Sequence, residues 1–128
     1  MVTSRIGALT FDCHEPEAVA DFWCVALGYE QYDADDTGVA IRDPSGGGSE
    51  MLFLIVPEAK SAKNRIHLDL VPPSSMQDEV ERLEAAGATV ERFVEENGSY
   101  WTIMLDPGGN EFCVLRGDAE RKAPAGDA

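Results

Sequence analysis

A repeat narrows most sharply what this chain can fold into. Two segments of roughly sixty residues carry the same succession of local signals. Gly28 and Gly87 each follow a helical pattern, and Asp-Pro turns stand in matching places at Asp43-Pro44 and Asp106-Pro107. Two copies predict a pseudo-twofold α+β domain.

In the first copy, residues 6–11 are apolar or small and suit a buried strand, and residues 12–16 form a turn into a helix that begins at Pro16 and runs to Leu27. Ala18, Val19, Phe22, Trp23, Ala26 and Leu27 recur at helical spacing as its apolar stripe, with Glu17, Ala20, Asp21 and Val25 off or beside it. Gly28 sits where a left-handed terminating residue is wanted. Three strands follow at 29–32, 38–42 and 51–56, separated by an acidic turn (33–36) and a glycine-rich turn (43–49). Residues 57–64 lack a hydrophobic period and read as a linker.

The second copy restarts with a strand at 65–71, ended by Pro72 and Pro73. Ser74 or Ser75 can cap a helix, with Gln77 or Asp78 three residues on. That helix should reach Ala86, burying Met76, Val80 and Leu83 and exposing Asp78, Glu79, Glu81, Arg82 and Glu84. Strands at 89–94, 100–105 and 111–115 complete a second βαβββ unit, the last two joined by a turn over 106–110. The expected organisation is one domain over 1–117, with modules at about 5–57 and 64–117. Residues 118–128, small and charged, are expected to be a disordered tail outside it.

With 128 residues, 44% of them hydrophobic, the chain can close a core without staples. Its net charge of −14 disfavours nucleic acid and anionic membranes as partners and would attract a cationic small ligand, although acidic residues also serve simply to keep a protein soluble. Cys13, Cys24 and Cys113 are an odd, widely spaced set without a CxxC, so a reduced cytoplasmic protein is expected rather than a disulfide framework. Residues 1–5 run directly into a strand rather than a signal core, and no apolar run approaches a membrane span.

Three stretches in this order resemble compact glyoxalase-like members of the vicinal-oxygen-chelate superfamily (glyoxalase, bleomycin-resistance and extradiol-dioxygenase proteins). They are Phe22-Trp23 with Leu27-Gly28-Tyr29, Ile66-His67-Leu68-Asp69-Leu70, and Leu105-Asp106-Pro107-Gly108-Gly109-Asn110-Glu111-Phe112. The resemblance covers about residues 6–116. It implies eight strands curled into an incompletely closed, barrel-like sheet with helices outside, binding inside the curl, and homodimers. In metal-dependent relatives, side chains on the first, fourth, fifth and eighth strands ligate one divalent ion that chelates the substrate. Alignment puts those positions at Ala8, near Leu52 or Phe53, at His67 and at Cys113, where His67 alone is a standard match. Methyl, isobutyl and benzyl groups donate no lone pair, and catalytic sites need about three protein ligands. No cofactor is therefore expected, with a divalent metal retained as the alternative.

Alternation places His67 and Asp69 on one face of their strand, the expected cleft wall, and Ile66, Leu68 and Leu70 on the helix face. A histidine there suits proton transfer or metal binding, or is a partly buried donor to a neighbour. Asp69 can line the same wall or merely accept hydrogen bonds. Thr10 and Asp12 would face the cleft by period two, unless Asp12 caps the first helix. Cys113 points as His67 does, giving a conceivable pair for soft-metal or thiolate chemistry, or is a small hydrophobe. Glu111, at its strand start, should face water. Tyr100 and Trp101 lie on opposite faces of one strand, so one lines the cleft; Tyr100 is the candidate. His14 reads as a surface residue, and 45–49 as a flexible hairpin end without a phosphate-loop lysine.

The leading expectation is a small-molecule-binding protein that sequesters a compound, as bleomycin-resistance members do, or catalyses without the standard metal centre, with His67 as the candidate catalytic residue. The alternatives are a metal-dependent lyase or isomerase of glyoxalase type and a non-catalytic dimeric interaction or regulatory module.

Overall fold

The computed structural model describes residues 2–121. The chain divides between Ser61 and Ala62 into two compact units, each carrying one copy of the repeat. The first contains β1 (Ala8–Cys13), α1 (Pro16–Leu27), β2 (Glu30–Asp35), β3 (Gly38–Arg42) and β4 (Glu50–Ile55). The second contains β5 (Asp69–Leu70), α2 (Met76–Ala85), β6 (Thr89–Glu96), β7 (Ser99–Leu105), β8 (Glu111–Leu115) and a short α3 (Asp118–Arg121). The strands form two four-stranded sheets ordered β1-β4-β3-β2 and β5-β8-β7-β6. The outer pairs β1/β4 and β5/β8 are parallel and the remaining neighbours antiparallel. Two tandem βαβββ modules are thus present as expected, down to a local irregularity. The β2/β3 register shifts between Gln31 and Asp33, and the β6/β7 register between Val90 and Arg92, at matching points of the repeat. No helix among the described residues is long and apolar enough to cross a membrane.

Each sheet buries one face under its helix. In the first unit Phe11 and Phe53 meet with ring centroids 5.1 Å apart, and Trp23 from α1 packs on Phe11 at 6.2 Å and on Phe22 at 5.2 Å. Helix α1 has the predicted bounds, opened by Pro16 and closed by Gly28 at φ 71°, where a side chain would be strained. Its buried face is rotated from the expected stripe: Ala20 is fully buried and Ala18 is exposed. The acidic segment predicted as a turn is the end of β2, because the hairpin is tighter than expected. Asp35 pairs with Gly38, and its Oδ1 accepts from the Thr37 amide at 2.8 Å and hydroxyl at 2.6 Å.

In the second unit Phe112 and Val114 of β8 and Met104 of β7 are buried under Val80 and Leu83 of α2. Ser75 is the N-cap, its hydroxyl accepting from the Asp78 amide at 3.0 Å. Glu79, expected on the wet face, is buried. The reason is its two-pronged pairing with Arg82, both contacts at 2.8 Å, which satisfies the carboxylate and pushes the guanidinium value up. The Asp-Pro turn is a rigid bend, in which the buried Asp106 carboxylate accepts from the amides of Gly108 and Asn110, both at 2.9 Å.

Residues 118–121 were expected in a disordered tail but form α3; the rest of that tail lies outside the described residues. The cause is Glu120. Its carboxylate accepts from the Met76 amide at 2.7 Å, the Gly117 amide at 2.8 Å and the Tyr100 hydroxyl at 3.2 Å, so it supplies acceptors to the open N-terminus of α2. Gly117 is required here, because a Cβ would collide with the Ser74 carbonyl oxygen. Burial raises the Glu120 value, but the Gly117, Met76 and Tyr100 hydrogen bonds and Arg116 outweigh it and hold the carboxyl below the usual range. Its contribution is therefore present above the unfolded carboxyl value and lost as pH falls through the folded one. Glu120→Ala should cost about 1 kcal/mol at neutral pH, and urea midpoints of wild type and variant should converge at acid pH. A variant as stable as wild type at pH 7 would show that α3 is not held this way.

Candidate functional site

Side-chain direction in the second sheet follows from register. Thr102, whose hydroxyl lies 3.4 Å from the Met76 sulfur, and Met104 point to α2, so Trp101, Ile103 and Leu105 point away. Opposite partners across β7 and β8 are Trp101 with Leu115, Ile103 with Cys113 and Leu105 with Glu111, which puts Cys113 on the face away from the helix. On the other side of β8, Asp69 is the direct parallel partner of Cys113. The two side chains therefore stand next to each other on adjacent strands.

His67 completes the group from outside the ladder. The strand expected over 65–71 is paired over Asp69–Leu70 alone, although the Cys113 amide still donates to the Leu68 carbonyl at 2.9 Å. The ladder stops because a side chain takes its place. The Asn64 amide donates to the Glu111 carboxylate at 2.8 Å, and the Glu111 amide donates to Asn64 Oδ1 at 3.2 Å. Glu111 is thus a hook at the head of β8 rather than a water-facing residue, and Ile66, expected on the helix face, is 79% exposed. Freed from the pleat, the His67 ring folds over Asp69, with Nδ1 3.4 Å from Oδ1.

One donor atom from each of His67, Asp69 and Cys113 lies within 4.8 Å of the other two. The thiol is buried, while the His67 and Asp69 side chains are 44% and 51% exposed, so the group has a closed floor and an open mouth. Burial first, then the Asp69 charge and the Cys113–Asp69 hydrogen bond, push the thiol up to about 11, against a smaller lowering by Lys63. A reactive thiolate needs a cation or a histidine bonded to its sulfur, whereas here the hydrogen-bonded neighbour is the Asp69 carboxylate, which disfavours the charged sulfur. The arrangement suits hydrogen bonding to a guest or donation to an ion better than nucleophilic attack.

The remaining sequence candidates separate. Thr10 and Asp12 are exposed on β1 of the first unit, on the face opposite Phe11, and α1 has no side-chain cap, so Asp12 does not cap it. Tyr100 is on the helix face of β7, bonded to Glu120 and 6.0 Å from the Phe93 ring, so the expected cleft tyrosine is a packing residue. Trp101 occupies the face with Cys113 in its place. His14, expected at the surface, lines an open hollow of about 450 Å³ in the first unit with Glu15, Glu17, Asp35 and Asp36. Segment 45–49 is tied at its start by Asp43, whose carboxylate accepts from the Ser45 amide and hydroxyl.

Two of the positions that the resemblance aligns with metal ligands, Ala8 and Leu52, stand on β1 and β4. Leu52 of β4 lies beside Thr10 in the register that sets Cys113 beside Asp69, and neither Leu52 nor Ala8 carries a donor atom.

Comparison with known proteins agrees with the repeat and the topology. The model of a glyoxalase-like domain matches residues 8–115. No curated protein matches in sequence. Among solved structures, a glyoxalase/bleomycin resistance protein/dioxygenase family enzyme from Burkholderia phytofirmans is 17% identical, with a TM-score of 0.69, over 87% of this chain and 97% of its own. A glyoxalase-related enzyme from Fulvimarina pelagi is 16% identical, with a TM-score of 0.68, over 91% and 90%. A lactoylglutathione lyase from Agrobacterium tumefaciens is 19% identical, with a TM-score of 0.62, over 93% and 97%. At such identities the structural likeness speaks for the fold alone, and it is the domain match across both modules that gives the lineage: this chain belongs to the glyoxalase-like domain family of the vicinal-oxygen-chelate superfamily.

Proposed function

We propose that this protein binds a small molecule on the face of its second sheet that carries His67, Asp69, Cys113 and Trp101, and that it either sequesters that guest or transforms it without the four-ligand ion centre of its metal-dependent relatives. The observation that carries this is the convergence of three polar side chains on a face whose neighbours, Trp101, Ile103 and Leu115, are apolar or aromatic. A few convergent polar groups among apolar ones is the usual make-up of a ligand site. The net charge of −14 and the exposed Asp69 favour a cationic, planar guest that can lie on Trp101. His67, exposed and beside a carboxylate, is the group to hold or move a proton on the guest. We place the protein in the cytoplasm as a homodimer, with neither nucleic acid nor membrane as a partner.

A thermal-shift screen of cationic aromatic, neutral and anionic compounds tests this. A guest at a hundred times its Kd should stabilise the fold by about 2.7 kcal/mol. The shift should shrink in His67→Ala and Trp101→Ala and persist in Tyr100→Phe. If no compound class raises the melting temperature, the domain acts through an interaction surface instead, and if His67→Ala leaves the shift intact the guest binds elsewhere.

The metal-dependent lyase or isomerase remains a second reading, because the same three side chains are ion donors. Ala8 and Leu52 count against its four-ligand form.

A further inference from the structure

We infer that Asn64 is the positioning residue of His67: with Glu111 it forms a latch that decides whether the imidazole stands beside Asp69, as in this structure, or across from Glu111. The internal repeat supplies the reference state. The register that matches Gly28 to Gly87 matches Ala8 to His67, and Leu52 stands to Thr10 as Cys113 stands to Asp69, so Glu50 corresponds to Glu111. In the first unit Ala8 and Glu50 are paired, and the parallel ladder runs on from them to Cys13 and Ile55. In the second unit, among the described residues, pairing is confined to Asp69 with Cys113 and Leu70 with Val114. The slot that is closed in one copy is therefore open in the other, although a glutamate stands at both. The two glutamates differ in what they hold: Glu50 accepts from the Tyr32 hydroxyl, Glu111 from the Asn64 amide.

Hydrogen bonds in a parallel ladder recur every two residues. The Cys113 amide donates to the Leu68 carbonyl at 2.9 Å, so the next slot back joins the Glu111 amide to the Ile66 carbonyl and the Leu68 amide to the Glu111 carbonyl. Asn64 Oδ1 takes that Glu111 amide at 3.2 Å, while the Asn64 amide donates to the Glu111 carboxylate at 2.8 Å. The asparagine thus competes for the donor that strand pairing would use. Opening the latch exchanges two hydrogen bonds for two, which keeps the two arrangements close in free energy. With the latch closed, His67 Nδ1 lies 3.4 Å from Asp69 Oδ1. With β5 extended, the two side chains would stand about 6.6 Å apart along the strand, His67 would face Glu111 at about 4.8 Å between strands, and the exposed Ile66 would turn to the helix face. A guest that needs His67 together with Asp69 and Cys113 shifts the population toward the closed latch. That bearing on the guest rests on the small-molecule reading of this face; the latch itself belongs to the guest-free chain.

NMR on the full-length protein without any guest tests it. In wild type the His67 ring should show nuclear Overhauser contacts to the Asp69 β-protons. Asn64→Ala removes the competing oxygen, so the ring contacts should move to Glu111 and the Leu68 amide should exchange with solvent at least about tenfold more slowly as it enters the ladder. Glu111→Gln keeps an acceptor for the Asn64 amide and should behave as wild type. Should Asn64→Ala fold poorly, Asn64→Ser, whose shorter side chain cannot span to the Glu111 amide, makes the same comparison. A residue that merely pins a loop gives the opposite sign: Leu68, Asp69 and Cys113 amides would all exchange faster in the variant, and that result would overturn the latch. Unchanged ring contacts and exchange in Asn64→Ala would overturn it too. Because no guest is present, an empty thermal-shift screen and a failed latch are separate results.

Discussion

At neutral pH, with metal stripped, Cys113 should react with iodoacetamide roughly a hundredfold more slowly than an unperturbed thiol. The magnitude follows from its ionisation. The ordinary value of 9.0 is pushed up to about 11, chiefly by burial and then by the charge and hydrogen bond of Asp69. Below both values the thiolate fraction falls tenfold for each unit, so two units give the factor of a hundred, and steric closure of a buried sulfur slows reaction further. Peptide mapping of alkylation from pH 7 to 11 should show the rate still climbing above pH 9. Asp69→Asn removes the second and third causes but leaves burial, so its profile should move only part of the way back. A rate that levels off below pH 9 would mean that the sulfur is an activated nucleophile, and the ligand-and-donor role given to it here would have to be abandoned. Stability carries the same signature. With the folded value raised, the neutral thiol's contribution is complete below the unfolded value and disappears as pH climbs from about 9 to about 11.

The group around Cys113 was legible in the sequence to the extent that period two alone determines it. Alternation put His67, Asp69 and Cys113 on one face, and they converge. What alternation cannot supply is which parity of a neighbouring strand shares that face, and it is Trp101 rather than Tyr100 that stands on the face with Cys113. The deciding signal was present in the turn. With Asp106–Asn110 linking β7 to β8 and Leu105 opposite Glu111, counting outward pairs Ile103 with Cys113 and Trp101 with Leu115. The hook between Asn64 and Glu111 had no such signal, since it joins residues 47 positions apart through side chains that in isolation suit a loop and a strand end. It nevertheless shortens β5 and lets the His67 ring reach Asp69. The same holds for α3, whose residues carry no hydrophobic period. It exists because Glu120 finds three donors in tertiary structure, and composition alone argued for disorder. The fold was easier to read, because the signals for Pro16, Gly28, Ser75 and the Asp-Pro turns are local and are repeated in two copies.

Trp23→Ala should cost about 3–5 kcal/mol of stability. Trp23 is 1% exposed and heads the fully buried side chains by volume, in edge-to-face contact with Phe22 at an interplanar angle of 83° and packed on Phe11. Truncation removes the indole's transfer free energy and leaves a cavity, which the surroundings can fill only by moving α1 against a sheet whose Val39, Ile41, Met51 and Phe53 are themselves packed solid. Against a total of about 5–15 kcal/mol for a domain, such a loss changes the folded-to-unfolded ratio by a factor of hundreds to thousands. Val25→Ala provides the internal comparison. It lies on the same helix, but its side chain is 52% exposed, so its substitution should stay within about 0.5 kcal/mol. Urea unfolding of both variants, followed by circular dichroism, measures the difference directly. If Trp23→Ala and Val25→Ala unfolded at similar urea concentrations, α1 would not be seated on the first sheet through its Trp23 face, and the assignment of Trp23 to the core rather than to a binding surface would fail.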